Sequence, residues 1–251
     1  MVVQTLRKLS EEPFGSIICY PRVDKNEIKK RLNELNKLRI TGIEFSGHKQ
    51  ILNLRVLGKG CVGIVVVARR SRRRVALKIR RTDADRKSMR REAMLLRKAN
   101  EIGVAPKLID ACKDFLVMQL VIGELLPEWI EKGKDREETR RVLKDILEQC
   151  WRLDTIGLDH GELSNAPKHI IINRKQKPVI VDFETASIKR RPSNVTSACQ
   201  FLFMNRNMAT ISRKLGLKDK TSIIDSLRSY KKNRNRTNFL SVLESCGLHD
   251  T

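Results

Sequence analysis

The sequence predicts an α+β chain whose strand-like runs come early and whose later part is mostly helical. Three observations lead there. Between residues 51 and 80, three apolar runs rich in β-branched residues follow one another: Ile51–Leu57, Ile64–Arg69 and Val75–Arg80. Two longer stretches, 84–100 and 135–155, place apolar residues at the spacing of one helix face. After residue 194 the pattern is helical again, and strand-like runs recur only near 115–122 and 168–181. Segregated strands and helices of this kind suit an α+β architecture.

With 251 residues, 40% of them hydrophobic, the chain can bury a sizeable core in one domain or two closely associated lobes. Its 52 Lys and Arg against 29 Asp and Glu leave a formal charge of +23, spread along the chain. So basic a surface calls for a polyanionic partner such as RNA, a ribonucleoprotein or DNA. Aromatic residues are only 4% of the chain, which favours phosphate contacts over base stacking. Six widely spaced cysteines without a Cys-x-x-Cys pair specify neither a zinc site nor a disulfide framework. No signal-like segment and no apolar run of about 18 residues is present, so a cytoplasmic protein without a membrane span is expected.

The first 48 residues carry no recognisable chemistry. Ile28, Leu32, Leu35 and Leu38 recur at helical spacing behind Asp24, a good N-cap, and a short strand over Ile40–Phe45 follows. Lys29, Lys30, Arg31, Lys37 and Arg39 would suit a nucleic-acid-binding helix, but a packed extension of the next lobe is the preferred reading.

Gly58-Lys59-Gly60-Cys61-Val62-Gly63 lies between two strand-like runs. A Rossmann turn would open a helix and carry an acid about 20 residues on, whereas a β-branched strand follows here and Lys78 stands 20 after Gly58. A Walker loop would end in Gly-Lys-Ser/Thr, whereas Ile64 and Val65 follow Gly63. What remains is a glycine-rich hairpin whose backbone can close over phosphates. After the Arg-rich turn Arg69–Arg74, Lys78 stands alone in an alternating apolar strand, placed to reach phosphates under that loop. Glu92 is the lone interior acid of the 84–100 helix, whose Met89, Ala93, Leu96 and Asn100 lie near one face. It is placed to pair with Lys78, which would otherwise lose its charge on burial.

Further on, Lys168–Ile172 and Pro178–Val181 read as the arms of a hairpin turning at Asn173–Lys177. Glu162 and Asp182 flank it, so pairing of the arms would bring two carboxylates together. A helix over 135–155, with Val142, Ile146, Leu147, Cys150 and Leu153 on one face, precedes it. Trp129 and Trp151 read as core anchors. Helices are expected over 194–216, with Ala198, Leu202, Met208 and Ile211 apolar, over 222–230, and over 239–248. The basic run Lys231–Arg236 is a candidate for phosphate contacts.

In order and spacing these features resemble the protein-kinase family over about residues 50 to 190. Its glycine-rich loop is matched by Gly58–Gly63, its Val-Ala-Ile-Lys strand by Val75–Lys78, and its helix Glu by Glu92. Its catalytic loop is matched by His160-Gly161-Glu162-Leu163 and its Asp-Phe-Gly by Asp182-Phe183-Glu184. His-Gly-Glu-Leu-Ser is most similar to the His-Gly-Asp-Leu-Ser of atypical RIO kinases and their Bud32-like archaeal relatives. The resemblance implies a bilobal protein-kinase-like fold with a five-stranded antiparallel small-lobe sheet and a truncated, mostly helical large lobe. Residues 1–48 would be an extension on or near the small lobe, 49–121 the small lobe, and 122–251 the reduced large lobe.

It implies ATP with Mg²⁺ or Mn²⁺ as cofactors. Gly58, Lys59, Gly60, Gly63, Val65, Ala76, Lys78 and Glu92 would then serve the nucleotide. Met118 would back the adenine, and Gln119 and Leu120 would offer backbone groups to its edge. Lys78 would neutralise the α/β-phosphates, Asp182 would hold the metal, and Glu162 would orient the acceptor hydroxyl. Two departures stand out. The family's catalytic Asp appears as Glu162, one methylene longer, and displacement by about an ångström costs about a hundredfold in rate. Five residues after it, where the family has a metal-binding Asn, stands Pro167. Asn165 supplies the oxygen that Mg²⁺ prefers, whereas His169 falls at the Asn position if the register is set by the following strand. The implied activity is that of an ATP-dependent atypical Ser/Thr protein kinase, or a partner-activated ATPase acting on a ribonucleoprotein or protein complex. Two alternatives are a pseudokinase serving as a nucleotide-binding RNA or protein interaction module, and a small-molecule kinase. The basic charge opposes a cationic small substrate for the latter.

Overall fold

The computed structural model describes residues 3–133, 135–205, 209–216 and 220–249. The chain divides into two compact units, residues 1–97 with 106–120, and residues 98–105 with 121–251.

The first unit contains β1 (Val3–Thr5), α1 (Phe14–Ile18), α2 (Lys25–Lys37) and β2 (Ile40–Glu44). After these come β3 (Lys49–Ile51), β4 (Leu54–Val56), β5 (Gly58–Lys59), β6 (Gly63–Arg70) and β7 (Arg73–Arg80). Helix α3 (Arg90–Glu101) starts here, and β8 (Leu108–Ala111) and β9 (Phe115–Gln119) complete the unit. The main sheet runs β1-β2-β6-β7-β9-β8, with β5 paired to β6. Its pairings are antiparallel throughout. It has seven strands where five were expected, because β1 and β2 from the first 48 residues extend it beyond β6.

Alternation along the strands gives this sheet two distinct faces. Ile64, Val66 and Ala68 of β6, Val75, Leu77 and Ile79 of β7, and Phe115 and Val117 of β9 point to one core. Leu9, Ile17, Ile18, Ile28, Leu35 and Leu38 from the N-terminal segment fill that same core. Helix α2 has the cap and the apolar face that this packing needs. The Asp24 carboxylate accepts a hydrogen bond from the Glu27 N–H at 2.7 Å, and Ile28 and Leu35 are buried.

Arg31 belongs to this core, not to a nucleic-acid surface. It is fully buried. Its guanidinium donates to Glu27 at 2.9 Å, to the carbonyls of Ile18 and Arg80 at 2.5 and 2.7 Å, and to Asp114 at 3.2 Å. Arg80 shares Asp114 at 2.6 Å. The N-terminal helix is thereby joined to the central strand through a buried charge network.

Three local expectations change. The run Ile51–Leu57 is not one strand. It is the hairpin β3–β4, turned at Leu52 and Asn53, whose φ angles are 46° and 62°. The Arg-rich turn shrinks to Ser71-Arg72, because Arg69, Arg70, Arg73 and Arg74 all lie in the ladder. Arg69 and Arg74 there neutralise the buried Glu44, and Arg70 pairs with Asp110 at 2.9 Å. Helix α3 begins at Arg90 instead of residue 84, after a turn in which Arg81 clasps Asp83 at 2.7 and 2.8 Å.

The second unit carries β10 (Gly123–Leu125), α4 (Leu126–Glu131), α5 (Arg136–Thr155), β11 (Ile170–Asn173) and β12 (Pro178–Ile180). It ends in α6 (Asn194–Cys199), α7 (Ala209–Leu215), α8 (Thr221–Lys232) and α9 (Arg236–Ser245). Strands β10, β11 and β12 form a small antiparallel sheet in that order. Asp135 caps α5, accepting from the Glu138 N–H at 2.7 Å, and Val142, Ile146, Leu147, Cys150 and Leu153 are all buried. The single helix expected over 194–216 is interrupted by a π-helical stretch, Gln200–Met204. Met208 lies outside the described residues. Trp129 is a buried anchor whose indole N–H donates to Gln176 at 2.7 Å. Trp151 is half-buried, stacked on Phe239 and covered by Arg236, with a centroid-to-guanidinium distance of 4.6 Å. Among the described residues, no helix is long and apolar enough to cross a membrane.

Replacing Arg31 by Met strands the Ile18 and Arg80 carbonyls and halves the counter-charge on Asp114. We expect a loss of about 3 kcal/mol or more in urea unfolding, against under 1 kcal/mol for exposed Lys30→Met.

Candidate functional site

The second face of the main sheet is assembled by strand register. Lys78 stands opposite Val65 on β6 and Leu116 on β9, and Ala76 stands opposite Met118. Gly58 faces Val65. Directly paired residues share a face, so Gly58, Val65, Ala76, Lys78 and Met118 lie together, away from the N-terminal core. Lys78 is only 3% exposed, and its amine donates to Glu92 at 2.8 Å. The pairing expected from the sequence is therefore made, within the first unit. Gly63 is needed where it stands. A Cβ there would come within 2.9 Å of the Ile79 carbonyl and 3.1 Å of the Lys78 stem. The glycine lets the lysine lie flat across β6.

The loop Gly60–Gly63 is closed by a hydrogen bond from the Gly60 N–H to the Gly63 carbonyl at 2.8 Å. The Lys59 amine is engaged elsewhere, donating to the Tyr20 hydroxyl at 2.9 Å. Tyr20 also lies under Arg81, at 5.3 Å from its guanidinium, and its carbonyl accepts from the Thr82 N–H at 2.9 Å. The N-terminal segment thus buttresses the glycine loop, a role nothing in the local sequence of Tyr20 suggests. At the end of β9 the Gln119 N–H is committed to the Lys107 carbonyl at 2.8 Å. That donor is spent within the unit.

In the second unit, hairpin pairing of Ile170 with Ile180 brings Glu162, His169 and Asp182 together. One donor atom from each lies within 4.8 Å of the others. His169 Nε2 donates to Glu162 at 2.7 Å. His169 is buried, and its Nδ1 has no hydrogen-bond partner among the described residues. Burial pushes its pKa below the ordinary histidine value, while the charges of Asp182 and Glu162 oppose that. Asn165 ends a short 3₁₀ turn, Leu163–Asn165, and is exposed.

Asp182 is held from behind. The Val181 N–H donates to the His169 carbonyl at 2.9 Å, and the Val181 carbonyl meets His160 Nε2 at 3.1 Å. With both sides of Val181 fixed, Asp182 adopts φ 70°, a left-handed conformation that Asp tolerates better than most residues. His160 is completely buried, edge-on to Phe183 at 5.0 Å, and its pKa is pushed down to about 4 by burial and by neighbouring His169. It is a neutral strut donating Nε2–H. Gly161 has φ 91°, and a Cβ there would meet the Arg190 guanidinium at 2.5 Å.

A buried polar network carries this loop. The Asn194 amide oxygen accepts from the His160 N–H at 2.8 Å, and its NH₂ donates to Asp154 and to the Leu158 carbonyl, both at 2.7 Å. Asp154 also accepts from Asn194 N–H, Val195 N–H and the Tyr230 hydroxyl at 2.9, 3.3 and 2.9 Å. Burial raises the Asp154 pKa, and these donors oppose it. Asp159 binds Arg190 at 2.9 Å and the Ser193 N–H at 3.1 Å. Asp154, Asn194 and Tyr230 were missed by sequence reasoning because each looks like an ordinary helix residue until the fold brings α5, α6 and α8 together.

The model of the RIO domain matches residues 66–216, more than half of the chain. The chain belongs to the RIO-domain family. An uncharacterized protein of Methanocaldococcus jannaschii is 30% identical over 118 residues, which are 46% of this chain and 99% of that protein. The KEOPS complex subunit Bud32 of Pyrococcus abyssi is 34% identical over 99 residues, 38% of this chain and 43% of that subunit. This RIO-domain chain is thus an atypical, protein-kinase-like protein of a kinase or ATPase family that binds nucleotide and generally works with ATP and Mg²⁺.

Tyr230→Phe removes one donor from a buried carboxylate. We expect it to cost about 1.5–3 kcal/mol of stability in urea unfolding, leaving the far-UV spectrum unchanged.

Proposed function

We propose that this RIO-domain chain is an ATP-dependent atypical Ser/Thr protein kinase, or an ATPase stimulated by its partner. The observation that most supports this reading is the buried Lys78–Glu92 pair on the sheet face shared by Gly58, Val65, Ala76 and Met118. A sheet needs no lysine there for packing, and one held extended by a carboxylate is suited to neutralising phosphate charge. In this reading Val65, Ala76 and Met118 contact the base, Leu120 meets its edge, and the Gly58–Gly63 loop covers the phosphates.

The second unit supplies the acid residues. Asp182, with His169 or Asn165, would hold a divalent ion, which when bound spreads the negative charge of the β- and γ-phosphates. Glu162 orients the acceptor hydroxyl. Its hydrogen bond to His169 fixes the longer side chain, which counters the looseness that the extra methylene would bring. Arg190 beside Gly161, with exposed Lys189 and Arg191, makes the rim of this loop cationic. Arg191 donates to the Lys231 carbonyl at 2.6 Å, which brings α8 and its exposed Lys231 and Lys232 to the same rim. Together with the charge of +23, that rim supports a polyanionic or protein-complex partner in the cytoplasm. That the Pyrococcus relative is a subunit of a complex points the same way.

The test is γ-labelled ATP with Mg²⁺ or Mn²⁺, with and without ribosomal fractions, following label transfer and phosphate release. Wild type should turn over, Lys78→Ala and Asp182→Ala should fall to background, and Glu162→Gln should lose about a hundredfold or more. Equal turnover by wild type and Asp182→Ala would dismiss the catalytic reading. Gly63→Ala, whose Cβ meets the Ile79 carbonyl and the Lys78 stem, should weaken ATP binding and lower the melting temperature, both checked by calorimetry.

A further inference from the structure

We infer that the Glu162–His169–Asp182 cluster selects a first-row transition-metal dication such as Mn²⁺ over Mg²⁺, with His169 as the discriminating ligand. This rests on the phosphoryl-transfer reading of the site and concerns which ion serves it. Where the protein-kinase pattern has an amide oxygen five residues after the catalytic acid, this chain has Pro167, which offers a metal nothing. The chain's own donors at the hairpin are two carboxylates and one imidazole, with one atom of each inside a 4.8 Å cluster.

The donor chemistry then decides. Mg²⁺ is a hard ion that takes oxygen ligands and keeps much of its water, so an imidazole adds little to its binding. Divalent Mn, Fe, Co and Zn accept imidazole nitrogen, and mixed nitrogen and carboxylate sets are their usual company. Of these, Mn²⁺ is closest to Mg²⁺ in its taste for carboxylate and phosphate oxygen, so it fits a site that must also bind a nucleotide.

The state of His169 fits a ligand better than a filler. The ring is 1% exposed, yet only Nε2 has a hydrogen-bond partner among the described residues. An apolar side chain would have filled the space without the cost of a buried bare nitrogen. The Glu162 carboxylate accepts from Nε2 at 2.7 Å and fixes the orientation of the ring within the cluster. Glu162 and His169, the two departures from the family pattern, thus form one unit.

The experiment uses the full chain with a non-hydrolysable ATP analogue and Mn²⁺, followed by electron paramagnetic resonance. Loss of the free-ion signal gives Mn²⁺ affinity, and Mg²⁺ is titrated as competitor. We expect Mg²⁺ to displace Mn²⁺ only in large excess. His169→Asn should weaken Mn²⁺ by about 10- to 100-fold and leave Mg²⁺ nearly unchanged, so the preference collapses. Pulsed measurements on wild type should show ¹⁴N coupling from a coordinated imidazole, a readout that does not depend on a variant folding. Wild-type Mn²⁺ without nitrogen coupling, or equal competition by Mg²⁺ at matched concentration, overturns the inference. If nucleotide still raises the melting temperature with Mg²⁺, the phosphoryl-transfer reading stands without it. If nucleotide binds with neither ion, that reading fails and the inference falls with it.

Discussion

A lysine at the centre of a buried strand has to keep its charge, and the first unit is arranged to let it. An ammonium buried without a partner is destabilised by desolvation. Glu92 at 2.8 Å prevents this, but a buried pair repays its desolvation only when both groups are held in good geometry. The holding comes from the opposite face of the same sheet. There the N-terminal helices and the strands β6, β7 and β9 share one apolar core, so β7 has little freedom to move. Arg31 and Arg80 around Asp114 fix α2 to the end of β7, two residues beyond Lys78. The segment that carries no chemistry of its own therefore sets the precision of the strand that does.

The second unit meets a comparable demand with hydrogen bonds. A loop bearing Glu162 and a turn bearing Asp182 have irregular backbones, and each exposes polar groups that a helix or sheet would satisfy. Buried His160 reaches the Val181 carbonyl, and Asn194 reaches the His160 N–H, with Asp154 and Tyr230 behind it. Each link has its hydrogen bonds directed inward, which suits groups of low local dielectric and fixes their rotamers. The left-handed φ of Asp182 is tolerable because both neighbouring bonds of Val181 are already made. Glu162 and Asp182 are thus positioned by a buried polar network behind them.

How much of this could be read from the sequence differs between the two units for physical reasons. The β6–β7 ladder, the Lys78–Glu92 pair, the β11–β12 hairpin and the capped helices α2 and α5 rest on local period, turn residues and caps, all of which are written in neighbouring residues. The meeting of Glu162 with Asp182 followed from hairpin geometry alone. Long-range polar contacts leave no such trace. Arg31 looks like one more surface cation in a lysine-rich helix, Tyr20 sits 39 positions before the Lys59 it binds, and Asp154 finds Tyr230 76 positions on. The helix expected from 194 to 216 failed because its apolar spacing continues through a π-helical stretch that shifts the face without interrupting the pattern. His169 was legible as a candidate from register, but its bond to Glu162 was not.

The claim on which the rest depends is that the face carrying Lys78 receives the phosphates of a nucleotide. Titration calorimetry of ATP, with Mn²⁺ or Mg²⁺ present, on wild type and on Lys78→Met tests it most directly. Wild type should bind one-to-one, and Lys78→Met should lose more than about tenfold in affinity, with the melting temperature of the free proteins comparable. Equal ATP affinity in the two folded proteins would contradict it.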